Sequence, residues 1–506
     1  MVTLAEKRYL ELERPTEADG AADCERILRA LTDAHMPLAT LKTLSPMLNE
    51  ADYRVTATLC PGASGMDVVR VEPGDTRARL FGLALDVGST ALEMALVDLN
   101  TGNTLADAGA TNGQVALGAN ILDRIFAVRG DRRNLETLRT LVVDGANGLI
   151  DRVCAGANVS PEEIAAIVIA GNTTMMHFLL GCDPWYVFQN PYAPAFFAPE
   201  PMAARELGLK LNCNALIMPA VANYLGGDIT SGLLLTDMES GDSPCLFLDI
   251  GTNGELALGN RDYLIAGAGA AGPALEGAVS AFGMRAEPGA VDRVRIDENN
   301  ALHIHVIGGG EPRGICGSGL LDLIAQGYLA GWINGNGTLD ASASERIERT
   351  RDPESGREVL AIRFAENEQG GLLLNESDIA EFIRCKAAAH TMVETLLEAS
   401  GVSPDQIGKM YLSGGFGTHY DLESAITVGL YPDIPLEKFC ILGNSSLGGA
   451  KKLLLNRDCR AALERIRRRM TYVQFGEMDK FVENMVSAQF IPHTDAKQYP
   501  SVKRKR

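Results

Sequence analysis

The chain has 506 residues, 46% of them hydrophobic and 22% charged, with a formal net charge of −19. That length supports two or more packed lobes, and the composition excludes a wholly disordered chain. The acidic balance excludes nucleic acid and anionic membranes as partners for the surface as a whole; the closing SVKRKR reads as a solvated basic tail.

The ten cysteines lie at least 19 positions apart. This excludes an intrachain zinc knuckle or ferredoxin-type cluster, whose ligands sit a few residues from one another. No apolar signal segment opens the chain, and no apolar run reaches membrane-spanning length. The expectation is a cytoplasmic protein with its thiols reduced.

In chain order, Tyr9 to Pro15 alternates as a strand, and Cys24 to Ala34 has helical spacing of Ile27, Leu28 and Leu31. These mark a small α/β domain over residues 1–75, closed by VEPGD. From residue 81 the texture changes to buried strands, Gly-rich turns and helices, and LALDVGSTALEMALVD (83–98) and LFLDIGTNGELALG (246–259) share one pattern. A second pair, VIAGNTTMMHFLLG (168–181) and CILGNSSLGGAKKLL (440–454), follows in the same order, so the chain reads as a duplicated lobe. The expected boundaries are 80–240 for the first lobe, 241–492 for the second and 493–506 for a flexible tail.

In Asp86-Val-Gly-Ser-Thr and Asp249-Ile-Gly-Thr-Asn a strand ends in a carboxylate, and a glycine then turns backbone N–H groups outward. Such a turn donates to phosphate while the carboxylate holds hydrated magnesium. A plain Gly-turned hairpin fits either loop alone; two copies favour a polyphosphate held from both sides. A third Gly-rich stretch, YLSGGFGTHYDL (411–422), follows an apolar strand and suits a flat base lying on backbone. No Gly-x-x-x-x-Gly-Lys-Ser/Thr is present, which excludes a P-loop enzyme.

This order of loops resembles the ATPase superfamily of sugar kinases, heat-shock chaperones and actin. More specifically, GLALDVGSTALEMALVDLNTG (82–102), VIAGNTTMMHFLLG, YLGGDITSGLL (224–234), AGPALEGAVSAFGMRAEPGAV (271–291) and GICGSGLLDLIA (314–325) resemble the reductive activators of corrinoid proteins. The resemblance runs from about Lys7 to Pro492. It implies a two-lobed, duplicated actin-like (ribonuclease H-like) α/β ATPase fold that uses ATP and Mg2+ to return a Co(II) corrinoid protein to Co(I) for methyl transfer. Members of that family carry an N-terminal [2Fe–2S] domain, and these residues start at the linker. Electrons are therefore expected from a separate donor protein, and a homodimer is compatible with this reading.

On that resemblance Asp86 and Asp249 are assigned to the metal, with Gly88, Ser89, Thr90, Gly251, Thr252, Asn253 and Gly254 around the phosphates. Asp228 is the expected activator of the attacking oxygen, the plain alternative being the N-cap of its helix; Glu255 and Glu276 are expected to position water. Ser413, Gly414, Gly415, Phe416 and Gly417 are assigned to the adenosine, and Lys386 to ribose or base, against the alternative of a solvated helix face. Asn172 to Thr174 and Asn444 to Ser446 are read as helix caps at a hinge. Cys316 reads as a buried thiol, and His177, His303, His305, His390 and His419 contain no pair at metal-binding helical spacing. Two other functions share the loops: a small-molecule kinase with Asp228 as base, and a nucleotide-switched binding protein.

Overall fold

The computed structural model describes residues 2–250, 253–270, 272, 280–353, 355–414 and 419–504. The chain divides into two compact units: Met1–Glu239 with Ser445–Arg469, and Ser240–Asn444 with Met470–Arg506.

The first unit opens with a sheet of order β1-β3-β4-β2, from β1 (Glu6–Glu11), β2 (Ala34–His35), β3 (Arg54–Gly62) and β4 (Gly65–Pro73). Ile27 and Leu31 of the helical stretch, with Leu44 and Leu48, cover its apolar face. The second sheet runs β7-β6-β5-β8-β10-β9, from β5 (Phe81–Val87), β6 (Ala91–Asp98), β7 (Thr104–Thr111), β8 (Ile164–Gly171), β9 (Met202–Ala203) and β10 (Asn214–Ile217). Strands β5, β6 and β7 pair antiparallel, while β8 and β10 join in parallel. The uninterrupted apolar run of β8 is buried along its length, as a central strand covered on both faces must be. The helix Arg133–Ala157 buries Leu138, Val142, Ala146 and Val153 and ends at Asn158 in the left-handed region.

The second unit repeats this plan. Its main sheet is built from β11 (Cys245–Ile250), β12 (Asn253–Gly259) and β13 (Leu264–Ala270). Two smaller sheets follow: β14 (Ala290–Ile296), β15 (Leu302–Val306) and β16 (Gly314–Ile315), then β17 (Ile347–Arg351), β18 (Glu358–Asn367) and β19 (Gly370–Asn375). The main sheet is completed by β20 (Lys409–Ser413), β21 (Phe439–Gly443) and β22 (Met470–Tyr472), in the order β21-β20-β11-β12-β13-β22. Again three strands pair antiparallel and two add in parallel beside the first. The helix Glu376–Ser400, capped by Asn375, stands where Arg133–Ala157 stands in the first unit.

The duplication expected from the loops is therefore present, but one of its two alignments is not. By strand order β8 corresponds to β20 and β10 to β21. The loop after β8, Gly-Asn-Thr-Thr, is thus the counterpart of Ser-Gly-Gly-Phe-Gly, and Gly-Asn-Ser-Ser after β21 is the counterpart of the Leu-Gly-Gly-Asp turn. Local likeness of strand, glycine and hydroxyl residues misled because both are strand-to-helix turns with the same demands.

Two boundaries also differ from expectation. Residues 445–469 belong with the first unit, because Gly449 lets the helix Ser445–Leu455 lie against the helix Gly227–Leu234: a Cβ on Gly449 would sit 2.2 Å from the Ser231 carbonyl oxygen. The C-terminal stretch is docked over 493–502, not loose, since Tyr499 is buried and the Ser501 N–H donates to Asp433 Oδ2 at 2.8 Å. Among the described residues no helix is long and apolar enough to cross a membrane.

Candidate functional site

In the first unit the hairpin between β5 and β6 carries Gly88, Ser89 and Thr90 at its tip, with Thr90 exposed and the other two half-buried. A side chain on Gly88 would lie 2.7 Å from the Ala91 carbonyl oxygen, so the turn needs glycine to be this tight. Its carbonyls are held from behind: Asn112 Nδ2 donates to the Gly88 oxygen at 2.9 Å, and the Arg124 guanidinium to the Ser89 oxygen at 2.6 Å. Arg124 is fully buried, also donates to the Gly118 oxygen, and is held below the usual arginine range by that burial. These two bonds fix the backbone of the turn from one side.

Asp86, half-buried just before the turn, accepts from Ser446 Oγ at 2.7 Å. Ser446 lies in the first turn of the helix Ser445–Leu455. Asp86 stands directly across the ladder from Glu93, and in the second unit Asp249 stands across from Glu255. Like charges directly opposed are unfavourable in a sheet, and the arrangement recurs in both units. Carboxylate oxygens are the ligand type that a hydrated divalent cation takes.

The second unit shares the hydroxyl-to-carboxylate contact. Asp249 accepts from Ser413 Oγ at 3.0 Å, and Ser413 ends the neighbouring β20. Gly414 follows with φ +78°, and a side chain there would approach Asp249 Oδ1 to 2.9 Å. Burial pushes the Asp249 carboxyl above the ordinary range, and the Ser413 hydrogen bond opposes that shift. Asn253 is exposed at the start of β12, whereas Gly254 is buried. Gly251, Thr252, Glu276, Gly415, Phe416 and Gly417 lie outside the described residues.

Asp228 sits in the first turn of the helix Gly227–Leu234, whose N-cap is Gly226, so it is not the capping residue. Its Oδ1 accepts from the Ile229 N–H at 2.8 Å. Gly226 lies against Asn172, since a Cβ there would be 2.4 Å from the Asn172 Cα. Gly171 in turn lies against the Val87 carbonyl oxygen, 2.7 Å from a built Cβ. The ends of β5, β8 and the turn before Asp228 thus converge in the first unit. Asn172 caps its helix as expected, accepting from the Met175 N–H at 2.9 Å.

Lys386 contradicts its assignment to ribose or base. It is fully buried and donates to the carbonyl oxygens of Ala488, Phe490 and Pro492 at 2.7, 2.7 and 2.5 Å. All its donors face the protein interior, and burial lowers its pKa to about 7. The solvated alternative fails equally, because the helical spacing that sets Lys386 beside Cys385 and Ala389 faces the C-terminal strap and not solvent. Cys316 is buried, with Sγ 3.4 Å from the Val291 oxygen and 3.3 Å from Ser318 Oγ; the ten cysteines are unbridged.

Sequence reasoning passed over Glu93, Asn112 and Arg124, and it read Ser446 as a helix cap without its contact to Asp86. Glu93 was legible, since it occupies in the first loop the place of Glu255 in the second. The same reasoning named His390 only as a histidine with no partner at metal-binding helical spacing and did not name Glu394 or His493; ligand atoms of these three residues lie within 4.8 Å of one another. Only a helical i,i+4 His–Glu pair signals that cluster, and its third member is distant in sequence.

Three family models match in succession along the chain: the RACo linker region over residues 1–78, the RACo middle region over 81–241, and the C-terminal domain of RACo, the ASKHA domain, over 243–503. The chain is similar to the corrinoid activation enzyme RamQ of Eubacterium limosum, with 28% identity over 431 residues, 83% of this chain and 72% of that protein. It is also similar to a [Co(II) methylated amine-specific corrinoid protein] reductase of Methanosarcina barkeri, with 26% identity over 404 residues, 75% of this chain and 71% of that protein. Among solved structures, a reductive activator for corrinoid, iron-sulfur protein superposes with a TM-score of 0.87 and 39% identity, covering 99% of this chain and 81% of that one.

Proposed function

Because the chain belongs to the family of reductive activators of corrinoid proteins, we propose that it is an ATP-dependent activator that restores a Co(II) corrinoid protein to the Co(I) state used in methyl transfer. The reading is carried by likeness along nearly the whole chain to a reductive activator of known structure, together with the strand-end carboxylates Asp86 and Asp249, each standing across its ladder from a glutamate.

In this reading Asp86 and Asp249 hold hydrated Mg2+, which when bound neutralises phosphate charge. The N–H groups and hydroxyls of the two turns receive the phosphates, and the Ser413–Gly414 turn with the residues after it receives the adenosine. Asp228 orients the attacking water, and Glu255 has the same role in the second unit's turn, so that ATP and water give ADP and phosphate. Donors fixed before the substrate arrives are worth more than mobile ones, and the buried guanidinium behind Ser89 serves that purpose. The one electron that takes Co(II) to Co(I) comes from a low-potential donor distinct from residues 1–506, whose cysteines are too dispersed to hold a cluster. ATP drives this uphill step only if the ATP-bound form grips the Co(II) partner differently from the ATP-free form.

The test is the absorption spectrum of a Co(II) corrinoid protein mixed with this protein, a low-potential donor and ATP. The Co(I) spectrum is expected only when ATP is present. Its absence while ATP is still hydrolysed would overturn activation, and labelled phosphate recovered on a metabolite would identify a kinase with Asp228 as base.

A further inference from the structure

Lys386, His390 and Glu394 form one stripe along the helix Glu376–Ser400, one turn apart, facing the strap of residues 488–493. Lys386 clamps the strap carbonyls, and the strap then presents His493 to His390 and Glu394. His390 and His493 are 6% and 8% exposed, and Glu394 is half-buried. His390 Nε2, His493 Nε2 and Glu394 Oε2 are all buried without a hydrogen-bond partner. Three orphaned polar atoms aimed at one point are costly unless something joins them. A cavity of about 500 Å³, lined by His390, Glu394, Pro404, Gln498 and Tyr499 among others, opens beside them.

We propose that His390, Glu394 and His493 form a binding site for a first-row divalent cation of the zinc type, with a fourth position open to the adjoining cavity. Two imidazoles and one carboxylate suit such an ion, which takes three protein ligands and one exchangeable ligand. A neutral ring is the form that ligates. His390 Nδ1 lies 3.1 Å from Tyr499 Oη, which is 3.4 Å from the Gly429 oxygen; in the tautomer whose Nδ1–H donates to Tyr499, Nε2 keeps its lone pair for a metal.

Two costs follow from the same geometry. The His390 Nε2 to Glu394 Oε2 distance is 3.9 Å. Tetrahedral zinc, with bonds of about 2 Å, needs edges of about 3.3 Å, so the ligand atoms must each move inward by up to about 0.9 Å. His493 Nδ1 accepts from the Asp495 N–H at 3.1 Å, which places the ring hydrogen on Nε2. Ligation through Nε2 moves that hydrogen to Nδ1, so the Asp495 amide must turn away.

The experiment uses the full chain, stripped of metal and titrated with Zn2+ and with Co2+ as a spectroscopic probe. Expected are one equivalent bound per chain, a tetrahedral Co2+ spectrum without thiolate charge-transfer bands, and faster hydrogen exchange at the Asp495 amide on binding. Glu394→Gln and His493→Ala are expected to abolish the equivalent, and Tyr499→Phe to weaken it by about 10- to 100-fold. Glu394→Gln keeps the side-chain shape, so its unchanged metal-free melting separates ligation from misfolding. No bound equivalent, binding that survives both substitutions, or thiolate bands would overturn the proposal and leave the triad as a hydrogen-bonded network closed by water.

Discussion

Removing the hydroxyl that steadies each loop carboxylate tests the candidate site at its most specific point. Ser413→Ala deletes a 3.0 Å hydrogen bond to Asp249, and Ser446→Ala a 2.7 Å one to Asp86. A hydrogen bond to a charged acceptor contributes about 1.5–3 kcal/mol, so each variant should lose about 10- to 150-fold in kcat/KM for MgATP if the carboxylate works ionised and oriented. The Ser413 variant carries a second signature. Burial already raises the Asp249 pKa and the Ser413 bond lowers it, so removing that bond raises it further. Activity that needs the carboxylate charged falls as pH drops through that value; the acid limb of the ATPase profile should therefore move to higher pH. The assay is steady-state ATP hydrolysis across pH and Mg2+ concentration, with melting curves beside it. Values of kcat/KM within about twofold of the parent in both variants, with melting unchanged, would refute the assignment of these carboxylates to the metal.

Asp249→Asn should abolish MgATP hydrolysis and yet raise the melting temperature of the ligand-free protein, because a carboxyl whose folded pKa is raised destabilises the fold once ionised; a lowered melting temperature would argue against it. Lys386→Met should leave the KM for ATP unchanged and lower stability, read by denaturant melts. The parent should also gain stability as pH rises from about 7 toward the ordinary lysine value of 10.5, since the unfolded chain keeps a proton there that the buried amine has lost, and the variant should lack that gain. Gly449→Val should cost about 1–3 kcal/mol, because the built Cβ meets backbone of Ser231 at 2.2 to 2.6 Å and the two helices must separate; urea melts measure it. Asp228→Asn should slow hydrolysis by about 10²- to 10⁴-fold with ATP binding retained, measured by turnover against nucleotide affinity.

The sequence was most legible where chemistry and backbone demand coincide. Asp-x-Gly-Ser/Thr at a strand end states both a turn and a carboxylate, so Asp86 and Asp249 were found and their units were seen as copies. What escaped was set by tertiary contact. Lys386 is one helical lysine among others until the strap from 488 to 492 covers it, and Arg124 supports Ser89 across 35 positions of chain. Ser446 and Asp86 are 360 positions apart. The false alignment of the two Gly-Asn-Thr/Ser turns has the same origin: both begin a helix after a strand, and only strand order tells them apart.

Strand order also gives the Ser446 contact a meaning that local reading could not. Since β10 corresponds to β21, the helices Gly227–Leu234 and Ser445–Leu455 are counterparts, one following each of these strands. Yet the second helix packs with the first unit, and the chain leaves the second unit at Asn444. Only two residues beyond that crossing, Ser446 grips Asp86. In the second unit the equivalent grip on Asp249 is made by Ser413, which lies on the neighbouring strand of the same sheet. Asp249 is therefore positioned by its own sheet, whereas Asp86 is positioned by a residue covalently tied to the end of β21.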